Sequence, residues 1–252
     1  MAINFTKIFQ DSWNFVRNTR QITFTFSLLF FLNQIFISLF SSFVLPSEAV
    51  SQNAEQFAEA LTLSPNSTLL SGAIIISEVI SFLLSLWCLA AVHQVSQGNY
   101  NPSSSFSFAV KRFWGALLIN VLLIAPLLLG LSDIVFSVLV SKGQPSVFSL
   151  IAISIGLYIF IRCCLASVYY LLNPVSIREA YRDSWFAGNS RVSMLFVYCL
   201  IIYFALPLMT RQLFSLSSNL IFEIIASLIL AFVTVFSLVF TYRFYTLFMN
   251  KA

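Results

Sequence analysis

Six long apolar runs constrain this chain more than any other feature of its sequence. Each is long enough to cross a lipid bilayer as one helix, which takes roughly 20 mostly apolar residues. The runs lie at about 21–45, 69–95, 113–140, 147–171, 192–215 and 220–246. Polar segments containing Gly, Pro, Ser or Asn separate them. The sequence therefore predicts an all-α integral membrane protein with six transmembrane helices, forming a single polytopic domain over residues 1–252.

The composition supports the same class. Charged residues make up 9% of the chain and hydrophobic residues 59%, whereas soluble domains carry about a quarter charged residues. The runs are too long and too uniformly apolar for the alternating strands of a membrane β-barrel. The net charge of +4 comes from scattered bases, so we expect no nucleic-acid partner. With one histidine and no CxxC motif, we also expect no metal and no cofactor.

The basic residues predict the orientation. With a cytoplasmic N-terminus, the cytoplasmic flanks hold Lys7, Arg17, Arg20, Lys111, Arg112, Arg178, Arg182, Arg191, Arg243 and Lys251. The opposite flanks hold Lys142 and Arg211. Because short cytoplasmic loops are enriched in Lys and Arg, we expect both termini of this multi-pass protein to lie in the cytoplasm.

A short phrase occurs twice, each time just before a span. It reads FQDSWNFVRNTR at 9–20 and YRDSWFAGNSR at 181–191. On a helix over 3–19, helical spacing places Phe5, Ile8, Phe9 and Trp13 on one face, and on a helix over 176–190 it places Ile177, Ala180, Tyr181, Ser184 and Trp185 on one face. Both copies therefore predict amphipathic helices in the membrane interface, before spans 1 and 5. Ser176 and Glu179 are spaced as a capping box for the second helix.

The residues expected at the membrane surface in these two helices are Trp13, Arg17, Arg20, Arg178, Arg182, Trp185 and Arg191. A weaker aromatic and basic segment, 106–114, precedes span 3 and less clearly predicts a third surface helix there. Two explanations stay open. Either the chain is built from repeated helical hairpins, or the similarity of these segments is a coincidence in an aromatic-rich sequence that uses Trp and Arg at interfaces.

The second copy carries a family resemblance. The stretch VSIREAYRDSWFAGNSRVSMLFVY resembles the phrase of the YciC family of uncharacterised bacterial inner-membrane proteins, with Ala180, Ser184, Gly188 and Asn189 at the matching positions. It is also similar to the membrane domain of some glycerophosphodiester phosphodiesterases. Arg162 with Leu165 and Ala166 resembles a further phrase, although Ser167 stands where many members have Pro. The resemblance implies an inner-membrane protein and no established activity.

Ionisable residues inside the spans are the candidate functional residues, because such residues are costly in a membrane. Glu78, Asp133 and Arg162 are the candidates for a polar site within the helix bundle. The competing interpretation places Asp133 at the interface, lets Arg162 extend to the headgroups, and pairs Arg211 with Glu223 across a tight turn.

Three functions follow from this reading. The first is a non-catalytic scaffold or partner protein in envelope or lipid homeostasis, with membrane lipids and another membrane protein as its expected partners. The second is a transporter of a lipid or small solute, with Pro126 and Pro207 as candidate helix breaks. An enzyme is the third and is not expected, since the chain has no recognisable catalytic motif.

Overall fold

The computed structural model describes residues 4–44, 67–137, 144, 146–189, 191–214 and 220–249, and every regular element in them is helical. The α-helices are α1 (Phe5–Asn18), α2 (Arg20–Val44), α3 (Ser67–Ser96), α4 (Pro102–Val135), α5 (Val147–Cys163), α6 (Ala166–Leu172), α7 (Ile177–Ala187), α8 (Val192–Cys199), α9 (Leu206–Phe214) and α10 (Leu220–Met249). A π-helical segment, Leu200–Ala205, joins α8 to α9.

Six stretches are long and apolar enough to cross a membrane, which confirms the predicted helical membrane class. They are Arg20–Phe40, Leu69–Ser96, Pro102–Val135, Val147–Leu172, Val192–Leu213 and Ile221–Met249. The fourth consists of α5 and α6, which are separated by a short turn at Cys164 and Leu165. The fifth passes through the π-helical segment, and Pro207 is the second residue of α9, which follows that segment.

The third span starts earlier than the sequence suggested, at Pro102 instead of about 113. The Asn101 side chain accepts hydrogen bonds from the backbone N–H groups of Ser103 (3.0 Å) and Ser104 (3.4 Å), and Pro102 occupies the first helical position. Both features start a helix. From there α4 runs unbroken to Val135, about 51 Å by helical rise. Segment 106–114 is therefore the first part of α4, and the prediction of a separate surface helix there was wrong.

The chain divides into two compact units. Unit 1 comprises residues 1–5, 90–206 and 242–252. Its core forms where α4 packs against α5 and α6, and α7 packs against α6. The buried residues at its centre are Ile119, Leu123, Cys163, Ala166 and Ala180. Gly156 lets α5 approach α4 closely, because a Cβ there would lie 3.0 Å from the backbone nitrogen of Leu127.

Unit 2 comprises residues 6–89 and 207–241. Helices α2 and α3 meet through Phe26 and Trp87, whose rings pack edge to face with their centres 5.1 Å apart. Helix α1 contacts α10 through its aromatic residues, and the Trp13 ring centre lies 6.3 Å from that of Phe232. A single residue, Thr19, separates α1 from α2, and backbone hydrogen bonds of the helical type continue through it. Unit 2 thus begins with two helices joined without a loop.

Candidate functional site

Arg162 is a buried cation near the end of α5, with 6% of its surface exposed. One terminal nitrogen, Nη2, donates to the Trp185 carbonyl oxygen (2.8 Å) and to Asn189 Oδ1 (3.1 Å). The other, Nη1, donates to the Tyr158 hydroxyl (2.9 Å). The guanidinium carbon also lies 4.3 Å from the centre of the Trp185 ring. We call Arg162, Tyr158, Trp185 and Asn189 the Arg162 clamp.

The clamp places a cation at the carboxyl end of α7. Trp185 lies in the last turn of α7, where carbonyl oxygens have no partner within the helix. A cation is favoured there by hydrogen bonding and by the helix dipole. No carboxylate of a described residue lies within ion-pair distance of Arg162, so carbonyl, amide, hydroxyl and ring electrons stabilise its charge. Arg162 therefore attaches the end of α7 to α5.

The amino end of α7 is fixed by the predicted capping box. Ser176 Oγ accepts from the Glu179 backbone N–H (3.3 Å), and the Ser176 backbone N–H donates to the Glu179 carboxylate (2.8 Å). Hydrogen bonding from the Ser176 backbone and side chain lowers the pKa of Glu179. The capping box confirms the helix start that the sequence predicted.

The inner face of α7 packs onto the core of unit 1. Ala180 and Ser184 are buried, while Ile177, Tyr181 and Trp185 pack around the core as partly buried side chains. The Tyr181 hydroxyl donates to the Ile119 carbonyl oxygen of α4 (2.7 Å). Burial raises the pKa of Tyr181 to about 12, so its hydroxyl stays a hydrogen-bond donor at physiological pH. Helix α7 is held at both ends and along one face.

Two further arginines of unit 1 cap the carboxyl ends of helices in the same way. Arg112 donates to the carbonyl oxygens of Tyr170 and Asn173 at the end of α6, and its guanidinium carbon lies 4.9 Å from the Tyr170 ring centre. Arg191 donates to the Phe248 carbonyl oxygen in the last turn of α10 (3.3 Å). The sequence had placed both arginines in the cytoplasmic flanks. The arginine-plus-aromatic composition hinted at such contacts, but the carbonyl partner depends on the fold.

Asp133, a residue of α4, lies beside the start of α5, whereas Arg162 lies near the opposite end of α5. Asp133 Oδ2 accepts a hydrogen bond from Ser146 Oγ (2.6 Å), and Ser146 is the residue that caps the start of α5. A carboxylate at a helix start is favoured by the helix dipole. Sixteen residues of helix, about 24 Å, separate Ser146 from Arg162. The structure therefore gives Asp133 and Arg162 separate environments instead of one shared polar cavity.

Glu78 belongs to unit 2 and lies on an exposed face of α3. The buried polar contact between α2 and α3 is made by its neighbour on the helix, Ser77. Asn33 Nδ2 lies 3.1 Å from Ser77 Oγ and 2.8 Å from Ser81 Oγ. The sequence had pointed to Glu78 because of its charge and depth, and it missed the two serines. Serine is too common in this chain to signal such a contact.

The other predicted surface residues divide into two groups. Arg17, Arg20 and Arg178 are exposed, and Trp13 is 48% exposed. Arg182 is also exposed, with Nε 3.2 Å from Asp183 Oδ1. By contrast, Trp185 and Arg191 belong to helix-ending contacts. Arg211 and Glu223 are both exposed, and the ion pair expected between these two described residues is not formed.

Helix α7 presents an outward stripe formed by Arg178, Arg182 and Phe186. These residues follow one another at four-residue steps, so they share one face. The two arginines are exposed, and Phe186 is 66% exposed. Within the described part of the chain, no three His, Cys, Asp or Glu side chains are grouped as metal ligands would be. The arrangement is suited to holding a helix and presenting its outer face.

Comparison with known proteins identifies a relative of the chain. The chain is 36% identical over 252 residues to a protein of Haemophilus influenzae described as uncharacterized, covering 99% of this chain and 100% of that protein. No protein-family model matches the chain, and no solved structure matches it. The resemblance to the YciC family stays a prediction.

Proposed function

The chain belongs to the family of this uncharacterized Haemophilus influenzae protein, and we propose that it is a non-catalytic scaffold of the bacterial inner membrane. In this proposal it acts in envelope or lipid homeostasis, and α7 is a fixed platform for a partner protein. The observation that carries the proposal is the Arg162 clamp. This buried arginine donates three hydrogen bonds to groups of the chain, and two of them hold the end of α7.

A platform has to be rigid and has to offer something to bind. The capping box and the clamp order both ends of α7, so a partner would not have to supply that ordering free energy. The outward stripe combines two exposed bases with an exposed aromatic ring. Arg and aromatic residues are enriched at the centres of protein interfaces. Basic residues of the stripe would also face anionic lipid headgroups if, as we propose, α7 lies on the cytoplasmic side.

The orientation can be tested with single introduced cysteines. The four native cysteines are buried, so a membrane-impermeant maleimide should label mainly an added thiol. Arg178→Cys and Gln144→Cys place that thiol at exposed positions on α7 and before span 4. With both termini cytoplasmic, intact spheroplasts label Gln144→Cys and leave Arg178→Cys unlabelled until the membrane is opened. The reverse pattern would overturn the proposed orientation.

The scaffold itself can be tested by photocrosslinking in cells. A photoreactive residue at Phe186 should give one discrete protein adduct, and the same residue at Leu129, which is 64% exposed on α4, should not. Arg162→Leu in the same chain should reduce the Phe186 adduct strongly, because the platform loses its clamp. Adducts with lipid alone at Phe186, or a protein adduct unaffected by Arg162→Leu, would sink the proposal.

The transporter alternative keeps one supporting observation, the π-helical segment Leu200–Ala205 followed by Pro207 in span 5. Such irregular turns are frequent at functional sites. A transporter would show solute or lipid flux in vesicles that is lost when Pro207 is replaced by Ala. The scaffold proposal predicts no such flux.

A further inference from the structure

Unit 2 contains a groove of about 550 Å³ between the α1–α2 junction and α10. Its wall is almost entirely apolar and includes Phe24 from α2 with Leu228 and Phe232 from α10. Phe24 is 70% exposed and Leu228 is 50% exposed. The groove is within the size range of small-ligand sites. It is independent of α7 and of the Arg162 clamp, which belong to unit 1.

Two arginines line this apolar groove. Arg17 and Arg20 are both exposed, and none of the residues lining the groove is acidic. The only hydrogen bond that the described residues give to either guanidinium joins Arg20 Nε to the Arg17 carbonyl oxygen (3.2 Å). Because the wall is apolar, the arginines contribute their methylene stems and leave their charged ends available to an anion.

A buried hydroxyl completes the groove. Ser27 lies one to two turns beyond Arg20 on α2, about 10 Å by helical rise, and is 7% exposed. Its Oγ atom has no hydrogen-bond partner among the residues that the structure describes. Leaving a buried hydroxyl unpaired is costly, so a ligand that brings an acceptor to this position would gain a hydrogen bond there. Many serines and threonines in these helices bond to a carbonyl one turn back, as Thr25 does with Gln21.

We propose that this groove binds one anionic phospholipid. The phosphate binds to Arg17 and Arg20, one acyl chain lies along Phe24, Leu228 and Phe232, and an ester carbonyl oxygen accepts from Ser27. A phosphodiester with an ester and a hydrocarbon chain behind it matches this order of charged, polar and apolar groups. The chain has six stretches able to cross a membrane, so phospholipid is the anion present at the highest concentration beside the groove.

Native mass spectrometry of the full chain in detergent tests the proposal with phosphatidylglycerol as the probe and phosphatidylcholine as the neutral reference. Wild type should retain one phosphatidylglycerol in preference to phosphatidylcholine. Arg17→Ala with Arg20→Ala should weaken retention about tenfold or more, since charge-assisted hydrogen bonds are lost. The matched control is Lys111→Ala with Arg211→Ala, which removes the same charge from exposed positions that neither line the groove nor belong to the α7 stripe, and it should leave retention unchanged.

Two more variants separate the parts of the site. Leu228→Trp fills the groove from an exposed position and should displace the acyl chain, lowering retention without loss of folding. Ser27→Ala should weaken retention about threefold while leaving thermal stability equal or higher, because the unpaired hydroxyl is removed.

Three results would overturn the proposal. One is equal loss of retention in the Arg17/Arg20 variant and in its Lys111/Arg211 control, which would indicate nonspecific surface charge. Another is displacement of the lipid by excess inorganic phosphate alone, which would show that the acyl chain is not held. The third is full retention in Leu228→Trp. None of these results bears on the α7 platform, which is tested at Phe186.

Discussion

The two copies of the Asp-Ser-Trp phrase are placed in different surroundings. In α7, Trp185 lies under the buried Arg162 and its carbonyl oxygen is capped by that arginine. In α1, Trp13 is half exposed and packs against Phe232 and Phe236. The α7 copy ends in a turn at Gly188, whereas the α1 copy continues through Thr19 into α2. Similar sequences thus give one helix held by a cation and one helix held by aromatic rings.

The difference shows what the phrase itself specifies. In both copies the serine is the buried member, with Ser12 at 0% and Ser184 at 3% exposure. The small side chain lets the helix approach its neighbour closely. What the tryptophan and the following arginine do is decided by the partner helix. In unit 1 the buried cation Arg162 contacts the tryptophan of the copy. In unit 2 the arginines of the copy stay exposed beside an apolar groove.

Truncating the two tryptophans should give the largest difference between the copies. Trp185→Ala removes the ring beneath Arg162 together with core packing, and we expect a loss of about 2–3 kcal/mol in unfolding free energy. Trp13→Ala should cost about 1 kcal/mol, because half of that side chain is already exposed. Denaturant unfolding of both variants in one detergent measures this, with Trp185→Phe as the ring-retaining control. Equal losses would mean that the clamp adds nothing to the tryptophan.

Replacing the two buried serines with alanine should affect the unfolding free energy differently. Ser12 Oγ donates to the Ile8 carbonyl oxygen (2.7 Å), so Ser12→Ala should cost up to about 1 kcal/mol. Ser184 Oγ has no partner among the described residues, so Ser184→Ala should be neutral or slightly stabilising. The same unfolding assay compares them. A clear loss of unfolding free energy in Ser184→Ala would contradict the expectation that its hydroxyl makes no stabilising hydrogen bond.

The smallest expected effect is a pH response at the start of α7. The pKa of Glu179 is lowered from the ordinary value of 4.5 by the Ser176 hydrogen bonds. The carboxylate's contribution is therefore fully present above pH 4.5 and is lost as the pH falls through the lower folded-state pKa. Amide exchange near residues 176–180 should accelerate selectively on acidification, while the start of α1 has no acidic residue and should not respond in this way. Glu179→Gln should abolish the selective response, and a response unchanged in that variant would contradict the assignment.

The sequence was sufficient for the helical class, the six spans, the capping box and the helices before spans 1 and 5, because these depend on local pattern. It misplaced the start of span 3, since the apolar run begins later than the helix that Asn101 and Pro102 start. It singled out Arg162, but two of that residue's partners, Trp185 and Asn189, lie 23 and 27 residues away, in α7 and in the turn that follows it. Glu78 illustrates the limit of depth arguments, because depth along a helix does not tell which side faces the protein.

Amide hydrogen exchange in wild type and Arg162→Leu tests the central claim most directly, namely that Arg162 holds α7 in place. Residues 177–189 report on α7, and residues 5–18 of α1 serve as an internal reference without an arginine clamp. We predict that Arg162→Leu accelerates exchange in α7 about a hundredfold, as expected for about 2.7 kcal/mol of lost local stability, and leaves α1 unchanged. Unchanged exchange in α7, or equal acceleration in both helices, would contradict the account.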